Sequence, residues 1–328
     1  MTTARGTGRA TADTRSRGGS RTGDARSPLG IPARGWGRLL RRVVAHVVSD
    51  RLMVHSAGVA FFAMLSVAPV LVTAMSVYAA VNTPEQAHRQ LLRVARMLPA
   101  ELQPMVADQL TTITAASTHI GSWGGVTGLV VALVTATTAM TYLIDGLTLA
   151  YRETESRGFL RRTGLAVLFL LGGVLVLGGA VAGVGALFRR LTRAPGVVHS
   201  LAPVLTWLSL AVLMCLALAV LYRLGPDREQ ARWRWTTGGS TVATVLWLAV
   251  TVCFFGYVDR LGSYRTTYGG LAGVAISMFW VWTTVFLIIV GAAVNAETER
   301  ETSRDTTVGP DRPRGERGAV VADGAPPS

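Results

Sequence analysis

Six stretches of this chain run from one charged residue to the next without an Asp, Glu, Lys or Arg between them: residues 52–84, 109–144, 163–188, 194–222, 235–258 and 266–296. A helix rises about 1.5 Å per residue, so about 20 apolar residues cross roughly 30 Å of hydrocarbon. Trimmed of their polar ends, the stretches predict transmembrane helices at 54–81, 123–144, 164–188, 201–222, 236–258 and 270–294. The expected fold is all-α: a polytopic membrane protein with six transmembrane helices plus amphipathic interfacial helices. Residues 36–299 form that unit, between a disordered basic tail over 1–35 and a disordered C-terminal tail over 300–328. Both tails are rich in small, polar and charged residues and bury too little apolar surface to offset ordering entropy.

Two connections carry a helical pattern of their own. Over 36–48, Trp36, Leu39, Leu40, Val43, Val44, Val47 and Val48 repeat at helical spacing, and Arg38, Arg41, Arg42 and His46 fall opposite. This predicts a basic amphipathic helix along the inner leaflet, with Trp36, Arg38, Arg41 and Arg42 at the membrane surface. Between 82 and 122, Leu91, Leu92, Val94, Ala95 and Leu98, then Leu102, Val106, Leu110 and Ile113, mark two short outer helices punctuated by Pro84, Pro99 and Pro104.

Composition agrees with a membrane protein. Half the residues are apolar and 16% are charged, against about 25% charged in soluble domains. The net charge is +13, and every one of the 32 basic residues is Arg. Twenty-four of these precede the first span, lie in the second and fourth connections, or follow the last span. By the positive-inside rule that side, with both termini, is cytoplasmic, and the arginines meet anionic headgroups. The charge therefore needs no nucleic-acid partner. The segment 223–235 interleaves arginines with Trp233 and Trp235, which suits base stacking but more simply an interfacial aromatic belt. Cys215 and Cys253 stand apart in apolar runs, and the five histidines have no ligand spacing. We expect no metal, no cofactor and no enzymatic site.

Polar groups in the spans are the functional leads, because an unpaired charge there costs about 2.5–3.5 kcal/mol. His55 and Ser56 open the first span, and Pro69 interrupts its hydrogen bonding. Asp145, Asp259, Asn295 and Glu297 stand at span ends, where interfacial solvation or capping is expected. Small-residue GxxxG pairs (Gly121/Gly125, Gly124/Gly128, Gly179/Gly183, Gly269/Gly273) predict close helix packing.

With the spans placed, several segments resemble the YihY/BrkB family of bacterial inner-membrane proteins, formerly labelled ribonuclease BN. Ser56-Ala-Gly-Val-Ala-Phe-Phe-Ala-Met-Leu-Ser-Val-Ala-Pro69 is similar to its AFYALLS–x–x–P signature. Ala150-Tyr-Arg-Glu153 with Gly158-Phe-Leu-Arg-Arg162 resembles its central connection, and Leu221-Tyr-Arg-Leu-Gly-Pro226 a third block. Tyr257 with Tyr264-Arg-Thr-Thr-Tyr-Gly-Gly-Leu-Ala-Gly273 looks like its Y…YGSLAG element, and Gly291-Ala-Ala-Val-Asn295 like GAELN. The similarity covers roughly residues 38–297. Phe62 replaces the usual Tyr and Ala293 the usual Glu, so a mechanism resting on that acid has no acid here. The resemblance and the polar inventory together give His55, Ser56, Ser66, Pro69, Tyr142, Asp145, Tyr257, Tyr268, Gly269 and Asn295 as substrate-pathway candidates. They imply a transporter or flippase for lipid or envelope components; a membrane scaffold and, further off, a ribonuclease are the alternatives. The implied partners are the anionic bilayer, a lipid or envelope-component substrate, and a second copy of the chain.

Overall fold

A computed structural model of the chain describes residues 33–81, 122–193, 197–260, 262–302 and 305–324. The N-terminal tail through residue 32 and the two expected outer helices within 82–121 lie outside the described residues. The elements are α1 (Ala33–Ser49), α2 (Leu52–Val81), α3 (Ser122–Ala150), α4 (Phe159–Arg193), α5 (Val197–Leu224), α6 (Trp233–Arg260), α7 (Gly262–Arg300) and the short α8 (Val320–Asp323). Helices α2 to α7 are each long and apolar enough to cross a membrane, and no strand is present among the described residues. They extend beyond the predicted spans by up to eight residues at an end, because helical hydrogen bonding does not stop at the first charge. Arginines such as Arg161 and Arg162 stay helical while their long stems carry the charge outward.

Neighbours in sequence are neighbours in space. Each helix from α2 to α6 packs on the next, and α7 returns to α2. α7 is the hub: it also meets α1, α3 and α8. The dense core lies at the end of the bundle that holds α1 and the second and fourth connections. Leu39, Val43, Leu52, Leu147, Tyr151, Tyr222 and Ile289 are buried there. α4 and α5 instead present Leu168, Leu175, Leu177, Trp207 and Leu208 outward, as a lipid-facing wall requires.

Among the glycines whose surroundings are described, the tight helix crossing is not at the predicted Gly179/Gly183 pair or at Gly273. A Cβ at Gly179, Gly183 or Gly273 meets nothing within 4 Å. At Gly239 it would strike the carbonyl of Gly291 and lie 2.6 Å from Asn295, and at Gly291 it would lie 2.6 Å from Ala243. Asn295 closes this α6–α7 crossing: its Oδ1 accepts from the Gly239 N–H at 2.5 Å and its Nδ2 donates to the Thr236 carbonyl at 3.1 Å. The Tyr222 hydroxyl adds a bond to the Ile288 carbonyl at 2.7 Å.

One expectation is extended and one is corrected. α1, expected along the inner leaflet with Trp36, Arg38, Arg41 and Arg42 at the membrane surface, also packs on α7 and α2. Leu39, Val43, Val47 and His46 are buried against the bundle, while Leu40, Val44 and Val48 face outward. The apolar stripe is wide enough to serve the protein on one flank and lipid on the other. The C-terminal tail is not disordered over 305–324. Its backbone pairs with the α5–α6 connection: Arg232 N donates to Thr306 O at 2.8 Å, Val308 N to Gln230 O at 2.9 Å, and Glu229 N to Gly318 O at 3.1 Å. Gly318, at φ +68°, lets the strap pass where a Cβ would come 2.7 Å from Glu229. Val321 and Ala322 are buried beneath it. Backbone pairing, rather than a run of large apolar residues, orders this segment.

Candidate functional site

A cleft of about 490 Å³ opens between α3 and α4. Leu133, Val134, Thr137, Thr138, Thr141 and Tyr142 line it from α3, and Phe159, Arg162, Thr163 and Val167 from α4. The threonines recur every three or four residues and so share one helix face. Thr138 and Thr141 donate their hydroxyl protons to the carbonyls of Val134 and Thr137, at 2.7 and 2.8 Å. A hydroxyl satisfied within its own helix shows the cleft mainly its methyl group and a spare lone pair. The wall is polar in sequence but compatible with a hydrocarbon chain.

The end of the cleft is charged. Asp145 lies one turn beyond Thr141 and Tyr142, and its Oδ2 accepts from Arg162 Nη2 at the start of α4. Neither side chain is fully buried, at 21% and 30% exposed. Yet Asp145 Oδ1 and Arg162 Nε are inaccessible and have no hydrogen-bond partner among the described residues. His55 packs beside Gly146, next along α3, and Phe62 stacks on Tyr142 with ring centres 5.2 Å apart. Three of the sequence candidates, His55, Tyr142 and Asp145, thus gather at one place. A second groove, between α4 and α5, is lined by Leu187, Leu205, Leu208, Ser209, Val212, Leu213 and Leu216 and carries no charge.

Beside the core, at the same end of the bundle, is a buried ionic cluster. Glu297 is wholly buried and accepts from Arg42 Nε at 3.2 Å, Arg152 Nη2 at 3.1 Å and Arg300 Nη1 at 3.3 Å. His46, also wholly buried, has its ring nitrogens 3.4 Å from Glu297 and 3.1 Å from Asp50. Arg42 reaches Glu301 as well. One turn of α7 therefore fastens α1 and the α3–α4 connection. That connection leaves α3 through Arg152 at φ +59°. Glu299 pairs with the buried Arg228 at 2.7 Å and accepts from Thr306 at 3.1 Å, and Arg228 covers the Tyr151 ring at 4.8 Å. Burial, with the Glu299 charge, pushes the Tyr151 phenol far above its ordinary range, so it stays neutral. Asp227 is held below the usual carboxylate range: burial opposes this, but the Ser156 N–H and hydroxyl, at 2.7 and 2.6 Å, and Arg157 outweigh it. Among the described residues no group of three His, Cys, Asp or Glu is arranged to hold a metal ion.

The model of the family described as Virulence factor BrkB matches residues 43–316, most of the chain. The chain belongs to that family. The ribonuclease-like protein YfkH of Bacillus subtilis is 26% identical over 247 residues, 74% of this chain and 88% of that protein. A UPF0761 membrane protein of Chromobacterium violaceum is 27% identical over 252 residues, 74% of this chain but 57% of the relative. This chain thus spans little more than half the length of that relative. A Vibrio atlanticus UPF0761 membrane protein is 23% identical over 261 residues, 78% of this chain and 80% of its own. No solved structure matches. The BrkB match ends at residue 316, within the strap on the α5–α6 connection.

The remaining candidates of this BrkB-family chain are dispersed. Ser56 is buried and back-bonded to the Leu52 carbonyl at 2.8 Å, and Ser66 to Ala63 at 2.7 Å. Pro69 lies within α2, which continues past it to Val81. Asn295 serves the α6–α7 crossing, and Tyr257 faces outward from α6. Tyr268 and Gly269 lie in the first turns of α7, and Trp36 in the first turn of α1; their side chains lie outside the described ones. Arg38 and Arg41 are exposed or nearly so, whereas Arg42 belongs to the ionic cluster. Ala293 is wholly buried in the core. Sequence reasoning placed Glu297 at a solvated helix end and read Arg162 as a topology signal. The helical phase joining Asp145 to the Thr138–Tyr142 face was the available clue to the cleft.

Proposed function

We propose that this BrkB-family chain is a bacterial inner-membrane protein that moves a lipid or lipid-linked envelope component along the α3–α4 cleft, with both termini cytoplasmic. The observation that carries this reading is the cleft itself: a methyl-faced threonine stripe ending at Arg162, whose guanidinium is paired with Asp145. An amphiphile has those two parts in that order, an apolar chain and a polar head. The orientation rests on the arginines, which crowd the end of the bundle that holds the pair.

The test is exchange of labelled lipids between leaflets of vesicles carrying the purified chain. Exchange faster than in protein-free vesicles, slowed by Leu133→Trp within the cleft, is the expected result. Equal exchange with and without protein, across a broad lipid panel, overturns the reading. Orientation is tested by a single cysteine at Ser20 in a chain whose Cys215 and Cys253 are serine. An impermeant thiol reagent should label it in inverted vesicles and not in intact spheroplasts.

A further inference from the structure

Of the half-buried arginines among the described residues, Arg42, Arg157, Arg162, Arg228, Arg232 and Arg300 each meet a carboxylate. Arg223 meets none. It stands in the last turn of α5, at the end of one apolar span, and its guanidinium lies over Trp233, the first residue of the next, 4.4 Å from the ring centre. The ring attracts the cation but neither cancels its charge nor accepts its N–H groups in the way an anion would. Nε is covered and has no partner; the two Nη groups are not covered and have none either. Trp233 is half exposed, and the neighbouring Arg234 is exposed and without a carboxylate partner. A partly desolvated cation with no counter-charge costs free energy that an anion recovers. The approach to Arg223 is apolar. Leu216 precedes it by two turns on the same face of α5, with Val220 between, and these are 56% and 38% exposed. Past Leu216 that face enters the groove of about 510 Å³ between α4 and α5, beside Leu213. Leu213 lies about 15 Å along the helix from Arg223, half the hydrocarbon thickness and so the depth of one leaflet.

We propose that Arg223, Trp233 and Arg234 form the headgroup site of a resident anionic phospholipid of the phosphatidylglycerol kind. The phosphate accepts from the Nη groups of Arg223, and Arg234 adds a second positive charge. One acyl chain runs over Val220 and Leu216 into the α4–α5 groove. The lipid thereby joins the end of α5 to the start of α6. A zwitterionic headgroup offers the same phosphate, but its ammonium or trimethylammonium brings back the positive charge that the site has to lose. Selection is therefore by net charge. The site uses no residue of the α3–α4 cleft and does not depend on the reading of that cleft as a lipid path.

The test is lipid retention by the full chain. It is purified in mixed micelles with equimolar phosphatidylglycerol, phosphatidylethanolamine and phosphatidylcholine of matched acyl chains, then released for native mass spectrometry. The glycerol lipid should be retained about fivefold over each of the others, the effect of one arginine charge at a membrane surface. Parity of the three lipids on the unaltered chain overturns the assignment, whether or not any variant folds. Arg223→Gln should remove most of the preference. Arg51→Gln, which takes the same charge from an exposed position just before α2, should leave it in place. Equal losses in the two variants would make the preference a matter of overall charge and overturn the site. A second readout is thermal: phosphatidylglycerol should raise the unfolding midpoint of the unaltered chain above its value in phosphatidylcholine, and Arg223→Gln should lose that increment. An increment that survives Arg223→Gln places the lipid elsewhere and overturns the assignment. Glycerophosphoglycerol, the same headgroup without acyl chains, should not displace the retained lipid at equal concentration. Displacement would assign the site to a free phosphate ester and overturn its assignment to a membrane lipid.

Discussion

Glu297 has no contact with water and four cationic or titratable neighbours drawn from three parts of the chain. Removing its charge leaves those neighbours facing one another in a partly desolvated pocket. Breaking a buried pair in this way costs about 3–5 kcal/mol; since the arginines are a quarter to two-fifths exposed, the lower end applies. Glu297→Ala should therefore lower the thermal unfolding midpoint of the purified chain sharply, and Glu297→Asp by much less. An unchanged midpoint for Glu297→Ala would mean that water already enters the cluster. Tyr222 and Asn295 illustrate the opposite economy. Each is a polar side chain spent on a backbone group of a neighbouring helix, and neither leaves a charge to compensate.

At the scale of elements, α1 and the α6–α7 crossing make separable predictions. Leu39 and Leu40 are adjacent, one fully buried and the other half exposed. Leu39→Ala should cost about 2–5 kcal/mol and Leu40→Ala under about 0.5 kcal/mol in detergent, as read from unfolding midpoints. Similar costs would show that α1 is not docked by one flank. Gly239→Ala sets a methyl against the Gly291 carbonyl and should destabilise the chain, whereas Gly179→Ala, with open space around it, should gain up to about 1 kcal/mol of helix propensity. The six spans were legible in sequence because a charge is expensive in hydrocarbon, so uncharged runs mark them directly. The crossing was not, because a GxxxG pattern states that close approach is allowed and says nothing of which helix approaches. Gly239, the second of a Gly-Gly pair, and Gly291 belong to no GxxxG pattern, and their meaning comes from each other. The cluster at Glu297 was equally hidden: its partner Arg42 is 255 residues away in sequence. Asp145 was visible as a polar residue in a span, yet the pattern that gives it a cleft depends on α4 packing beside α3.

For the molecule as a whole, the strap over 305–324 ties the end of the chain to the connection between α5 and α6, and its anchors titrate in opposite senses. Asp305 accepts from the N–H groups of Thr307 and Arg312, both at 2.9 Å. Burial raises its pKa, but these bonds outweigh it and hold it below the ordinary value of 3.8. Its contribution to docking is present above that value and is lost as pH falls through the folded-state pKa. Glu153 accepts from the Val320 N–H at 2.7 Å, yet burial leaves its pKa above 4.5, so its contribution is present below 4.5 and fades as pH rises through the raised value. Hydrogen exchange at the Thr307 and Arg312 amides, corrected for intrinsic rate, should accelerate on acidification below about pH 3.8. Asp305→Asn should show faster exchange already at neutral pH and little further acid response. Exchange that rises with acid equally in both chains would assign the response to another group.

The fastening of α1 to Glu297 also sets a timetable. α1, the earliest-made of the described helices, is completed by a residue made 255 positions later. At 5–20 residues per second that interval is about 13–50 s. Throughout it, α1 has no α7 to rest on. Its buried flank, Leu39, Val43 and Val47, and the free guanidinium of Arg42 must be accommodated at the membrane surface while the later spans are inserted. The same wide apolar stripe that is divided between protein and lipid in the finished molecule is what allows the nascent helix to wait on the bilayer. α1 is then drawn inward once Glu297 on α7 has been released.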